Sequence, residues 1–230
     1  MTTVVEFVGL PGTGKTTLSR GVAKKLTTRG VHVTEPTYEL ETRSTVRRVA
    51  LKSRTAAVGF GRYPSAGLSA SRAVFNTDQQ SLTDYIRVLF NLLYITGTIT
   101  KRRSAGGACL LDQGVYQGIW SAGFRSHHKW AKILDRFDNI LQRLSPDLIV
   151  FLEVDEATIA DRLRKRSDGD TRFEPGTETF DRGRAGYERL KAHVQTGRDG
   201  PRSIVLKNKT REALQQNTTL VADEIQRIDS

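Results

Sequence analysis

An uninterrupted Gly-x-x-x-x-Gly-Lys-Thr runs from Gly9 to Thr16 (Gly9-Leu10-Pro11-Gly12-Thr13-Gly14-Lys15-Thr16), and no other stretch constrains the chain as tightly. Before it, Thr3 to Val8 is a short apolar run rich in β-branched residues. After it, Thr16 to Arg29 carries Leu18, Val22 and Leu26 at four-residue spacing, and Gly30 supplies a helix stop. Strand, loop and helix thus follow in the order that a phosphate cradle needs. The glycines let successive backbone N–H groups point inward, and the positive end of the following helix adds to their field. In that geometry Lys15 offers a mobile ammonium to β and γ phosphates, and the Thr16 hydroxyl is placed to coordinate a bridging Mg²⁺. Gly9, Pro11, Gly12, Thr13, Gly14, Lys15, Thr16 and Thr17 are accordingly the candidate contacts for ATP.

A chain of 230 residues suits a single α/β domain and is long enough to bury a full core. Cys109 is the only cysteine, so no internal disulfide can form, and its setting in Ala108-Cys109-Leu110-Leu111 marks a buried strand residue rather than a nucleophile. No segment has the length of a membrane span, and the first strand begins too near Met1 to leave room for a signal peptide, so the cytoplasm is the expected compartment. The net charge of +11 is concentrated between Thr42 and Arg103, where eleven basic residues face two aspartates. Such a block is compatible with a solvated surface, an acceptor site for a phosphorylated substrate, or a nucleic-acid footprint. The stretch holds no nucleic-acid signature motif, and its sparse aromatics weaken the case for base stacking. His32, His127, His128 and His193 lack metal-ligand spacing, so no zinc site is expected.

Strands are predicted at Thr3 to Val8, Val31 to Thr34, Gly107 to Leu111, Asp147 to Val154 and Ser203 to Leu206. Between them the pattern places helices over about 42–53, 82–99, 129–144, 156–166, 179–193 and 211–228. Leu148-Ile149-Val150-Phe151-Leu152 is the longest apolar strand and reads as one covered on both faces. Residues 57–71, with Gly59, Gly61, Pro64 and Gly67, read as a flexible loop that could order over a substrate. Alternation from end to end predicts an α/β fold with a doubly wound, parallel five-stranded sheet in one domain spanning 1–230.

Several protein classes share the loop, and other segments choose among them. A GTPase should carry Asn-Lys-x-Asp for the guanine edge, whereas the nearest match, Asn208-Lys209-Thr210-Arg211, ends in an arginine. A motor-type ATPase wants a second apolar strand ending in Asp-Glu, which Val154-Asp155-Glu156 offers, although a basic helix follows at once. With Phe7 to Thr17, Thr34-Glu35-Pro36, Val150 to Asp155, Arg162-Leu163-Arg164-Lys165-Arg166 and Asp170-Thr171-Arg172-Phe173-Glu174, the chain resembles the thymidylate kinase-like branch of the nucleoside monophosphate kinases. It is more loosely similar to deoxynucleoside kinases.

The resemblance implies a P-loop kinase with an arginine-bearing lid at about 164–174. There Arg166 and Arg172, with Arg162 and Arg164 behind them, would stabilise charge on the transferred group and exclude water. It places Asp112 near Mg²⁺, whose preference for hard oxygen ligands fits a carboxylate. Gln113 then stands where the family keeps an acceptor-binding arginine, and a neutral amide lacks the charged fork that holds a phosphate. Arg43, Arg47 or Arg48 could grip an acceptor phosphate from the other side. If the acceptor is a hydroxyl instead, Glu35 matches the glutamate that deoxynucleoside kinases use as a base.

Lys15, Arg166, Arg172 and Glu35 are therefore the expected catalytic residues. Thr16 and Asp112 are the expected metal contacts, and Glu35, Arg43, Arg47, Arg48 and Gln113 the expected acceptor contacts. The expected activity is ATP- and Mg²⁺-dependent phosphoryl transfer to a small nucleotide, nucleoside or similar hydroxyl acceptor, away from membranes. Two alternatives stand beside it: a kinase for a modified base or end in nucleic acid, and an ATP-binding switch without catalysis. Oligomeric state is left open, a homodimer included.

Overall fold

The computed structural model describes the chain except residues 42–43, 63, 104, 125, 128–129, 166–172, 198–199 and 230, with the backbone alone at 41, 62 and 66. Five parallel strands form one sheet in the order β2-β3-β1-β4-β5, with β1 Thr2–Gly9, β2 Val33–Thr34, β3 Gly107–Leu111, β4 Leu148–Glu153 and β5 Arg202–Lys207. β1 lies at the centre, aligned Val4 to Cys109 on one side and Phe7 to Val150 on the other. Successive strand residues point to opposite faces, and both faces are covered. Val4, Val8, Cys109, Leu111, Ile149 and Phe151 enter one core, and Val5, Phe7, Leu110, Val150 and Leu152 enter a second.

The second core is closed by α1 (Lys15–Thr28), through Leu18, Val22 and Leu26, and by α10 (Arg211–Asp229), through Val221 and Ile225. The first core is larger. It takes α5 (Leu82–Arg102), α6 (Val115–Phe124), α7 (Trp130–Leu144) and α9 (Glu178–Thr196). α7 shows why such a segment must be helical: Trp130, Ile133, Leu134, Phe137, Ile140, Leu141 and Leu144 recur every three or four residues and are all buried. The tryptophans pack as core residues, Trp120 donating from its indole to the Gly183 carbonyl at 2.8 Å and Trp130 lying against Gly123 and Gly186. Cys109 is buried in β3, and that burial pushes its thiol up to about 11. Among the described residues no helix is long and apolar enough to cross a membrane.

The span 57–71 is not a loop. α3 (Thr45–Arg62) runs into it and α4 (Pro64–Phe75) begins within it, and residue 63 lies outside the described residues. Gly59 and Gly67 serve helix packing rather than turns. A Cβ on Gly59 would lie 2.4 Å from the Gly97 Cα of α5, and one on Gly67 would lie 2.4 Å from the Phe60 ring. Pro64 takes the first position of α4, where its missing N–H costs nothing. Two further helices complete the described chain, α2 (Pro36–Glu41) and α8 (Glu156–Arg164).

Candidate active site

The C-terminal ends of β1, β3 and β4 meet at the loop between β1 and α1. Gly12 and Gly14 adopt φ of +89° and +91°, a region that costs a side chain dearly and that glycine enters freely. The curl is fastened from inside, with the Thr13 hydroxyl donating to the Leu10 carbonyl at 2.9 Å and Lys15 Nζ donating to the carbonyls of Gly9 (2.7 Å) and Leu10 (3.1 Å). Gly14 is the N-cap of α1 and, having no side chain, leaves the first-turn N–H groups without a side-chain cap. A glycine-curled loop, a helix start without a side-chain cap and a lysine in its first turn are the features a polyphosphate site would use. Pro11 lies half-buried beside the curl, and Thr17 is exposed on the first turn of α1.

β3 delivers Asp112 to the same place. The Thr16 hydroxyl donates to Asp112 Oδ2 at 3.1 Å, and Asp112 is only 8% exposed. Its other oxygen, Oδ1, is shut off from solvent with no hydrogen-bond partner among the described residues. A buried carboxylate oxygen without a donor is costly, and beside a hydroxyl oxygen it suits a hard cation. Among the described residues no three His, Cys, Asp or Glu side chains cluster as a metal cage. The Thr16 hydroxyl and the Asp112 carboxylate would fit Mg²⁺, which takes one or two protein oxygens and completes its shell with phosphates and water. Asp155, the rival carboxylate at the end of β4, is used elsewhere: it caps α8 by accepting from Thr158 N at 2.9 Å and pairs with Lys209 at 2.9 Å.

Glu35 follows β2 and is half-buried, accepting from the Ser19 hydroxyl of α1 at 3.3 Å. Burial raises its pKa above the usual carboxylate range, and the nearby negative charge of Asp112 adds to the rise against the pull of Ser19 and Arg20. A cavity of about 380 Å³ opens by the start of α2, whose Thr37 lines it together with Arg48, Lys52, Asn91, Tyr94 and Gln113. Arg48 and Gln113 are thus placed together, whereas Arg47 is exposed outside that lining. Arg43, Arg166 and Arg172 lie outside the described residues. Near the end of the expected lid span, Phe173 is buried against Trp120, Phe124 and Phe180 and anchors the chain there.

Arg162 does not stand open as a lid arginine. Its guanidinium donates to the carbonyls of Gly12 (3.1 Å), Thr13 (3.3 Å), Asn208 (2.8 Å) and Lys209 (3.2 Å), bracketing the phosphate loop to the turn after β5. Asn208 completes the bracket by donating to Thr13 O at 3.2 Å. A second cavity of about 380 Å³ opens there, lined in part by Thr17, Arg162, Asn208 and Arg211. Sequence reasoning passed over Lys52 and Asn208. Lys52 had a usable signal, since it lies four residues after Arg48 on one face of a basic helix. Asn208 opens the Asn208-Lys209-Thr210-Arg211 run, which in the sequence reads as an incomplete guanine motif.

Residues 4–190 match the AAA domain family. The chain belongs to that family. No curated protein sequence matches it. Among solved structures, this AAA domain is similar to deoxyadenosine kinase from M. mycoides with bound dCTP, at 16% identity and a TM-score of 0.54, covering 97% of this chain and 99% of that one. The same enzyme with products dCMP and a flexible dCDP bound gives 15% identity and a TM-score of 0.53, covering 98% and 99%. At such identities the likeness is one of fold: the AAA domain described here has the α/β, five-stranded parallel architecture of a P-loop kinase.

Proposed function

We propose that the chain is an ATP- and Mg²⁺-dependent phosphotransferase acting on a nucleotide, nucleoside or similar hydroxyl acceptor. The observation that carries this reading is the Thr16 hydroxyl set 3.1 Å from the buried Asp112, at the start of the helix that follows the glycine-curled loop of Lys15. The loop amides and Lys15 bind the phosphates of ATP, and the cavity bordered by Arg162 and Asn208 takes its base. Thr16 and Asp112 hold Mg²⁺, which when bound neutralises charge on the β and γ phosphates. Glu35 accepts the proton of the acceptor hydroxyl as the new O–P bond forms and the bond to the β-phosphate oxygen breaks, releasing ADP. Arg166 and Arg172 close on the transferred group. Resemblance to thymidylate kinases supports a nucleotide acceptor, whereas Gln113 after Asp112 and the proton-retaining environment of Glu35 favour transfer to a hydroxyl.

The test is transfer from γ-labelled ATP with Mg²⁺ across nucleosides, nucleoside monophosphates, sugars and oligonucleotides. The expected result is little hydrolysis alone, strong stimulation by one acceptor class, and none in Lys15→Ala. Slow hydrolysis that no acceptor accelerates would instead identify an ATP-binding switch. Transfer confined to oligonucleotides and falling steeply with salt would identify a nucleic-acid kinase working through the basic 42–103 region.

A further inference from the structure

The cavity at the start of α2 holds more positive charge than transfer to a neutral hydroxyl compound requires. Arg48 and Lys52, one turn apart on α3, both line it, and neither has an ion-pair or hydrogen-bond partner among the described residues. Lys52 is half-buried, with its ammonium 5.2 Å from the centre of the Tyr94 ring. Burial and the neighbouring Arg48 lower its pKa, so its charge is kept at a cost that an arriving anion would offset. Asn91 and Thr37 on the same walls add neutral polar groups. Thr37, two residues after Glu35, and Gln113, next to Asp112, line the same cavity, so the space that holds the cation pair reaches the chain segments carrying the candidate base and Asp112.

Resting on the phosphotransferase reading, we propose that the acceptor is a hydroxyl compound that also carries a phosphate monoester, the phosphate held by Arg48 and Lys52 and the hydroxyl turned toward Glu35. The anchoring phosphate is not the group that reacts. To receive the γ-phosphoryl group it would have to leave Arg48 and Lys52 and approach the Asp112 carboxylate, beside which Gln113 supplies only a neutral amide. The hydroxyl proton passes to Glu35, the γ-phosphorus bonds to the hydroxyl oxygen, ADP leaves, and the anchor is unchanged, so the product carries two separate phosphate esters.

The experiment uses the full chain saturated with Mg²⁺ and a non-hydrolysable ATP analogue, titrated by calorimetry with matched pairs: nucleosides against their 5′- and 3′-monophosphates, and sugars against sugar phosphates. One phosphorylated compound should bind about tenfold or more tighter than its neutral partner, as expected for a charge-assisted contact. Lys52→Gln should remove about that factor and Lys52→Arg should restore most of it, with thermal melting to show that each variant is folded. Mass spectrometry of the turnover product should place the new phosphate on a hydroxyl. Equal affinity within every pair, an unaffected Lys52→Gln, or a diphosphate product would overturn the inference and leave the kinase reading standing. Failure of the ATP analogue to bind would overturn both.

Discussion

Asp112 and Glu35 are both carboxylates near one loop, yet their surroundings set them to different tasks. Asp112 shares a hydrogen bond with Thr16 and keeps a second oxygen buried without a donor, the condition of a cation ligand. Asp112→Asn should therefore lower kcat by about 100-fold, a loss of the size seen when one transition-state contact is removed, and raise the Mg²⁺ concentration needed for half-maximal rate. Titrating Mg²⁺ against initial rate checks both effects. Glu35 is held protonated to a higher pH than an ordinary glutamate by burial and by Asp112. Only its ionised form can take a proton, so kcat/KM should rise with pH through a limb that lies above the usual carboxylate range. Glu35→Gln should abolish that limb together with most of the transfer to hydroxyl acceptors. A pH–rate profile whose acid limb is unchanged in the variant would remove Glu35 from the reaction.

The start of α6 is tied to the central strand by another carboxylate. Glu6, fully buried in β1, accepts from the first-turn amides of Tyr116 (3.1 Å) and Gln117 (2.7 Å), and the Gln117 side chain in turn accepts from Gly9 N at 3.2 Å. Burial raises the Glu6 pKa to about 7, despite the pull of those amides. Between pH 4.5 and 7 the unfolded chain loses this proton while the native one keeps it, so the native state binds more protons and stability falls as pH rises. The loss from this group should reach about 3 kcal/mol by pH 7 and then level off. Denaturant melts of wild type and Glu6→Gln should show that difference between their pH profiles; parallel profiles would contradict it. α6 itself was not legible in the sequence, because Val115, Tyr116, Ile119, Trp120 and Ala122 surround it with apolar surface and leave no polar face to set a period. The second half of α3 and the start of α4 were misread for the converse reason, whereas the first half of α3 was expected as a helix. Gly59 and Gly67 suggest turns by composition, but what they supply is room for a neighbouring helix or ring, which is visible only once α5 and Phe60 are in place. α7 and the strand Leu148–Glu153 were legible because their periods are uninterrupted.

The molecule as a whole follows from one contiguous motif and a run of alternating elements, which is why the sheet could be anticipated while its partners at the site could not. Gly9 to Thr16 is local, so its chemistry is written in consecutive residues. Lys52 reaches the Gln113 cavity from α3, whereas Arg162 and Asn208 reach the phosphate loop from α8 and the end of β5, and the contiguous motif itself records none of these approaches. The parallel order brings β1, β3 and β4 side by side and puts two carboxylates near the loop; side-chain bonding then assigns Asp112 to Thr16 and Asp155 to the α8 cap. All of this rests on the loop gripping a triphosphate. Isothermal calorimetry of ATP with Mg²⁺ should show one site per chain, with a dissociation constant within about the 1 μM to 1 mM span common for enzyme substrates, and a loss of affinity of about 100-fold in Lys15→Ala. No heat of binding in the wild-type protein, or equal binding by Lys15→Ala, would contradict it.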